Sequence, residues 1–193
     1  MTAEEDQRWV AAACAGDVSA FERLYRRHRD WVHRLAYRWT SSESDADDVV
    51  QEAFAYVLGK MPGLVLTGRL RTLLYPAVRH LARAAREKRG RFTSDDAALE
   101  AALTREGPEA AGSPGATRAE LARVLGVLSE PQREVLLMRT VDGLSIEEVA
   151  VALDIPVGTV KSRLHHALGT LREDERTRRY FLGDESAPKP GDR

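Results

Sequence analysis

LSIEEVAVALDIPVGTVKSRL, residues 144–164, reads as two short helices and the tight turn between them. Ser145 followed three residues later by Glu148 is a capping box, in which the two side chains satisfy the amide donors a helix start leaves open. Ile146, Val149, Ala150 and Leu153 then line one helical face. The run "DIP" ends that pattern, because Pro156 disfavours the helical conformation for Ile155 and suits the start of the next helix. On that second helix Val157, Val160, Leu164, Ala167, Leu168 and Leu171 form one apolar arc. Thr159, Ser162, His165, His166 and Gly169 project opposite, with Lys161 and Arg163 at the margins. A polar face of this kind also suits a helix that merely meets solvent. The capped first helix, the turn and Gly158, which gives clearance near the helix start, together favour a helix-turn-helix that enters a DNA major groove.

Working outward, apolar residues recur at helical spacing nearly everywhere, with Phe21, Leu24, Tyr25, Val32, Leu35, Ala36 and Trp39 in one run and Val49, Val50, Phe54, Val57 and Leu58 in the next. No convincing alternating strand appears, so the expected fold is all-α. Helices are predicted near 5–15, 18–40, 44–60 and 68–90, and again near 117–128, 130–142, 145–153 and 157–173. The stretch 94–118 carries Gly107, Pro108, Gly112, Pro114 and Gly115 with few large apolar residues after Leu103, and reads as a mostly flexible linker. The expected organisation is therefore two small helical domains, over 1–92 and 117–176, joined by a flexible linker over 93–116 and followed by a disordered polar tail over 177–193.

Composition narrows the function classes. The chain has 193 residues, a formal net charge of −1 and a single cysteine, Cys14. One cysteine allows no internal disulfide, and no Cys/His cluster has zinc-site spacing, so neither cofactor nor metal is expected and Cys14 reads as a small packing residue. The acidic amino terminus "MTAEEDQRW" is unlike a signal peptide, and no apolar run approaches a membrane span, so a cytoplasmic protein without membrane insertion is expected. His28, His33, His80, His165 and His166 are scattered or exposed by pattern, and none stands at motif spacing from a nucleophile. Catalysis by the chain itself is not expected.

With so small a net charge, nucleic-acid binding must come from segregated charge. "GRLRTLLYPAVRHLARAAREKRGR" supplies it: over residues 69–91 there are eight Lys/Arg and one Glu. Leu70, Leu73, Leu74, Ala77, Val78, Leu81 and Ala85 form the expected buried arc, and Arg69, Thr72, Arg79, His80, Arg83 and Arg86 share the other face. Acids do not alternate with these cations, which favours a phosphate-neutralising stripe over a solvated ion-paired face. Pro76 is expected to disturb this helix unless packing absorbs the lost amide donor. The other charged feature, "SDADDVVQEAF", gathers Asp45, Asp47, Asp48 and Glu52 at a helix start, where the dipole stabilises carboxylates and Ser44 is positioned to cap.

Residues 128–172, "LSEPQREVLLMRTVDGLSIEEVAVALDIPVGTVKSRLHHALGTLR", resemble region four of extracytoplasmic-function (ECF) sigma factors of the sigma-seventy type, bacterial transcription-initiation subunits. The acidic string, with Val49, Val50, Gln51 and Glu52, is similar to region 2.2 of the same family. The resemblance implies binding to core RNA polymerase, involving its beta and beta-prime subunits. Asp45, Asp47, Asp48, Val49, Gln51 and Glu52 would dock on a coiled coil of the largest subunit. It implies a second partner in promoter DNA. Arg69, Arg71, Arg79, His80, Arg83 and Arg86 would recognise and melt the minus-ten element, His80 standing where asparagine is frequent. In the second helix of the helix-turn-helix, Lys161, Ser162, His165 and His166 would meet base edges of the minus-thirty-five element, with Thr159 and Arg163 on phosphates. An anti-sigma protein is the expected inhibitory partner.

Two departures stand out. Where many relatives carry an aromatic pair in an F-R-x-W-L pattern, this chain has Leu70, Arg71, Thr72, Leu73 and Leu74, and His166 replaces a frequent arginine. The missing aromatic motivates one alternative, a sigma-like helix-turn-helix regulator that binds duplex DNA without melting promoters; a second alternative is a helical adaptor whose charges serve protein contacts alone.

Overall fold

The computed structural model describes residues 3–88, 118–175 and 177. Among these, the regular elements are α1 (Ala3–Cys14), α2 (Val18–Thr40), α3 (Glu43–Lys60), a 3-10 turn (Met61–Gly63), α4 (Leu70–Lys88), α5 (Arg118–Gly126), α6 (Glu130–Thr140), α7 (Ile146–Leu153) and α8 (Val157–Glu173). The expected linker over 93–116 lies outside the described residues, as does the tail apart from Thr177.

Local chemistry sets the helix starts. The Asp17 carboxylate accepts the Ser19 and Ala20 amides at 2.9 and 3.2 Å and begins α2. At α3 the cap is Ser42, whose hydroxyl accepts the Asp45 amide at 3.4 Å. Ser44, expected from the sequence to cap, lies inside the first turn, because the helix starts one residue earlier than its apolar pattern does. Helix α4 has no local cap and takes a distant one: Asp6 of α1 accepts the Leu70 amide at 3.1 Å through one carboxylate oxygen and meets His28 Nε2 at 3.1 Å through the other. His28 is therefore a buried partner on α2, not one of the exposed histidines that its surroundings in sequence suggest. Burial pushes the Asp6 carboxyl up, but His28, the Leu70 amide and Arg27 outweigh it and hold the group below its ordinary range.

Helix α2 is the spine of the first module, packed by α1, α3 and α4. Leu24, Trp31, Val32 and Leu35 of α2 meet Val49, Val50, Phe54 and Val57 of α3 and Leu70, Leu74, Val78 and Ala82 of α4 in one apolar cluster. Each such side chain fully buried contributes about 1.5–3 kcal/mol of transfer free energy. The α4 arc is rotated from the expected one: Tyr75 and Ala82 are buried, whereas Leu73, Ala77, Leu81 and Ala85 are only partly so. Leu58, assigned by pattern to the core, is 53% exposed. Pro76 sits exposed within an unbroken α4, where packing of its neighbours Tyr75 and Val78 holds the helix together.

In the second module α8 packs on α6 and α7, seated by the buried Val160 and Ala167. Arg133 of α6 ties α5 to it by donating to the Leu125 and Leu128 carbonyls at 3.1 and 3.0 Å. Leu168, placed in the apolar arc by the wheel, is 45% exposed, since only part of so wide an arc finds a neighbour.

The two modules also dock on each other. Helix α4 packs against α7, and Val135, Met138, Leu144 and Val149 of the second module belong to the same apolar cluster as Leu70, Leu74, Tyr75 and Val78 of the first. This contact explains the rotation of the α4 arc: Tyr75 is buried because a second body covers its side of the helix.

Candidate polymerase and nucleic-acid interfaces

At the start of α3 the acids divide. Asp45 and Val49 are buried, at 7% and 2% exposure, and so belong to the inner face of the helix instead of the presented surface. Asp47, Asp48, Gln51 and Glu52 are exposed. His33 of α2 lies 3.3 Å from both Glu43 and Asp47, which fixes the Asp47 carboxylate at the rim. One turn beyond Glu52, Tyr56 is exposed with the Lys60 ammonium 4.9 Å from its ring centre. Tyr56 follows Glu52 by one helical turn on the exposed side of α3 and lies outside the residues predicted from the sequence.

The basic face of α4 is not bare. Arg69 donates to the Gly143 carbonyl at 3.0 Å and stands 3.5 Å from Glu148. Arg71 donates to the Asp142 carbonyl at 2.9 Å with its guanidinium 5.0 Å from the Trp31 ring centre. Arg79 donates from Nη2 to Glu134 at 3.3 Å, while its Nε comes within 2.8 Å of the other carboxylate oxygen without its N–H pointing at it. Arg83 is 4.0 Å from Glu130, an exposed and weak pairing. Trp39 of α2 lies under both Arg79 and Arg83, with ring-centre distances of 5.6 and 5.9 Å. His80 is exposed and Arg86 partly so. The acids whose absence along α4 argued against ion pairing thus arrive from the second module, Glu134 standing 55 residues from Arg79 in sequence.

Two residues outside the predicted set complete this seam. Arg38 of α2 donates to the Asp142 carboxylate at 2.7 Å, and the Tyr75 hydroxyl donates to Glu134 at 3.2 Å. Burial pushes the Glu134 carboxyl up, only partly opposed by Arg79 and the Tyr75 hydroxyl. Burial, followed by the Glu134 charge, raises the Tyr75 phenol well above its usual range. Burial likewise lowers the Arg71 guanidinium. At Arg38 burial also pulls down, but the Asp142 carboxylate reverses it. Asp142 leads into a turn at Gly143, whose φ of +70° suits glycine and aims its carbonyl at Arg69.

The helix-turn-helix forms as its sequence dictates. The Ser145 amide donates to Glu148 at 2.7 Å and the Glu148 amide to the Ser145 hydroxyl at 3.1 Å. Asp154, left-handed at φ 52°, closes α7, and Pro156 leads into α8. On α8 Lys161, Ser162, His165 and His166 are exposed, with Thr159 and Arg163 partly buried beside them. The His165 and His166 rings stand edge-on, 5.7 Å apart. A Cβ on Gly158 would meet nothing within 4 Å among the described residues, so none of them requires the glycine. Among the described residues no group of acids, histidines and cysteines could hold a metal ion, and no helix is long and apolar enough to cross a membrane.

Two family models match separate stretches of the chain. Residues 24–92 match the family model for sigma-70 region 2, and residues 118–171 match that for sigma-70, region 4. The RNA polymerase sigma-H factor of Pseudomonas aeruginosa is 33% identical over 177 residues, covering 86% of this chain and 92% of that protein. The ECF RNA polymerase sigma-E factor of Escherichia coli K12 is 33% identical over 172 residues, covering 84% and 90%. The RNA polymerase sigma-E factor of Streptomyces coelicolor is 35% identical over 167 residues, covering 82% and 88%. Among solved structures, CnrH in complex with the cytosolic domain of CnrY superposes with a TM-score of 0.64 at 26% identity, covering 87% of this chain and 95% of that one. The Bartonella quintana sigma factor RpoE, solved with the anti-sigma factor NepR, has a TM-score of 0.60 at 22% identity over 81% and 96%, a likeness of fold.

Proposed function

The chain belongs to the extracytoplasmic-function RNA polymerase sigma factors of the sigma-70 family, and from that membership we propose how its surfaces share the work of the family. As a sigma factor it binds core RNA polymerase and directs promoter-specific transcription initiation. Residues 1–92 form the polymerase-binding and minus-ten module, 117–176 the minus-thirty-five module, and 93–116 their tether. The exposed face of Asp47, Asp48, Gln51 and Glu52, extended by Tyr56, meets the polymerase. Arg69, Arg71, Arg79, His80, Arg83 and Arg86 take the minus-ten strand, and the partly exposed Trp39 of α2 lies beneath the Arg79 and Arg83 guanidinium groups as aromatic surface beside them.

The observation that carries the reading of the second module is the α8 surface: a capped helix, a left-handed turn at Asp154, then four exposed polar side chains, Lys161, Ser162, His165 and His166, on the side opposite the buried Val160 and Ala167. These side chains read base edges while Thr159 and Arg163 hold phosphates. The chain brings binding energy and no chemistry of its own, since phosphodiester synthesis belongs to the polymerase. It acts in the cytoplasm, where a regulatory anti-sigma protein is its expected partner, as NepR is for the similarly folded RpoE of Bartonella quintana.

Run-off transcription with purified core polymerase tests this reading. Discrete transcripts from a promoter found by mapping 5′ ends after induced expression are expected. Promoter binding with no open complex would instead favour the non-melting regulator, which the match to both sigma modules does not favour.

A further inference from the structure

We infer that His165 and His166 make the α8 reading surface proton-dependent: neutral, they hydrogen-bond base edges, and as imidazolium ions they add positive charge toward the duplex, so that promoter affinity rises as pH falls. The inference rests on the reading of α8 as the minus-thirty-five surface and adds a regulation of that site.

The pair is open to solvent on the side where the duplex would lie. Both side chains are exposed opposite the buried Val160 and Ala167, and their rings stand edge-on with centres 5.7 Å apart. Among the described residues neither imidazole has a hydrogen bond or an ion pair. They are the ninth and tenth of the 17 residues of α8, too far from either end for the helix dipole to fix their charge. Within one turn on either side the helix presents Lys161, Ser162, Arg163, Gly169 and Thr170 and no carboxylate.

Charged groups on the helices packed against α8 are engaged elsewhere. On α7 the Glu148 carboxylate accepts the Ser145 amide, and on α6 Glu134 is held by Tyr75 and Arg79 while Glu130 stands by Arg83. Arg133 and Arg139 donate to backbone carbonyls, and Arg123 of α5 is exposed. Glu147 of α7 is the acid that faces this side. Hydrogen bonds from its own amide and from Ser145 hold its carboxyl below the ordinary range, with the Lys161 charge adding to them. A carboxylate thus offsets part of the Lys161 charge, and Arg163 is partly buried, so the permanent charge of the reading face is modest and protonation of two histidines changes it substantially.

Imidazole is the side chain that changes charge between about pH 5 and 8. Each ring takes one proton from solvent and then donates from both nitrogens, which suits phosphate oxygens or the acceptors of guanine. Duplex phosphates favour the charged form, so binding takes up protons. The gain in affinity is therefore fully present below the pH at which the free imidazoles titrate, and is lost as pH rises through the higher range of the bound ones. His166, in place of a frequent arginine, exchanges a fixed charge for one that responds to pH. The other histidines do not share this setting: His28 is buried on Asp6, His33 is held by Glu43 and Asp47, and His80 is exposed on α4.

The measurement is fluorescence anisotropy of the full chain with a short fluorescein-labelled duplex DNA of mixed sequence, over a salt series at about pH 6 and about pH 8. The parent chain is expected to bind at least about five-fold more tightly at the lower pH, with a salt slope steeper by about one for each imidazolium that meets a phosphate. The double variant His165→Gln, His166→Gln should bind equally at both pH values, while His80→Gln should keep the full difference. His166→Arg should bind more tightly than the parent at the higher pH and retain only the His165 share of the pH effect. Thermal melts verify that these exposed substitutions leave folding intact. A parent chain that binds equally at both pH values, or a double variant that keeps the pH effect, would overturn the inference. Arg163→Ala tests the underlying assignment separately. If it weakens binding at both pH values, α8 stands as the DNA surface even where the histidines fail; unchanged binding by Arg163→Ala and by the double variant at the lower pH removes that surface and the inference with it.

Discussion

Asp6 and Leu70, 64 residues apart, meet where a carboxylate oxygen of one accepts the backbone amide of the other at 3.1 Å. The contact makes an α1 side chain the cap of α4, and thereby sets the start of the helix that carries the cationic stripe. Its second oxygen, on the buried His28, braces α2 into the same arrangement.

Asp6→Ala leaves the His28 ring and the Leu70 amide without their shared acceptor inside the core. The expected loss is about 2–4 kcal/mol of unfolding free energy, the cost of stranding buried polar groups. Urea titration followed by far-UV circular dichroism checks it, and a loss below about 1 kcal/mol would show that the pair contributes little.

The acid limb of stability should have two parts of opposite sign. Asp6 has a lowered folded-state pKa, so its contribution is present above the unfolded value of 3.8 and disappears as pH falls through the lower folded value. Glu134 has a raised one, so its contribution is fully present below the unfolded value of 4.5 and fades as pH rises through the folded value. Between neutrality and about pH 4.5 the docked chain should therefore gain from Glu134, with Tyr75, Arg79, Arg83 and Glu130 around it. Below about pH 3.8 it should lose the Asp6 contribution. Denaturant titrations across pH should lose the first gain in Glu134→Gln and the second loss in Asp6→Asn.

On α3, Asp48→Lys and Tyr56→Ala change exposed side chains and should weaken core-polymerase binding by about tenfold or more without altering stability. Val49→Ala should do the reverse, costing about 2 kcal/mol through a core cavity while the native fraction still binds. Co-elution with core polymerase on gel filtration and thermal melts separate the two classes. Equal binding defects for surface and core variants after correction for folding would contradict the division of this helix.

For α8, Ser162→Ala and His165→Ala should relax base preference at single positions of the upstream element, by about 1–3 kcal/mol where the contact is bidentate. Arg163→Ala should weaken binding to all sequences alike and reduce the salt slope by about one. Anisotropy with duplex DNA over a salt series reads both.

The sequence by itself determined the helices, the capping box at Ser145 and Glu148, the turn at Pro156 and the exposed side of α8, because each depends on residues within a turn or two of one another. It also determined the family, since both sigma modules lie along continuous stretches. Only the tertiary structure decided which acids of α3 face inward, why Tyr75 is buried, and that His28 has Asp6 as its partner. It alone decided what the arginines of α4 touch. A helical wheel records one boundary between core and solvent, whereas α4 packs on α2 and α3 on one side and on α7 on another. The carboxylates that complete its charge are brought there by docking of a second body, a relationship that no local periodicity encodes.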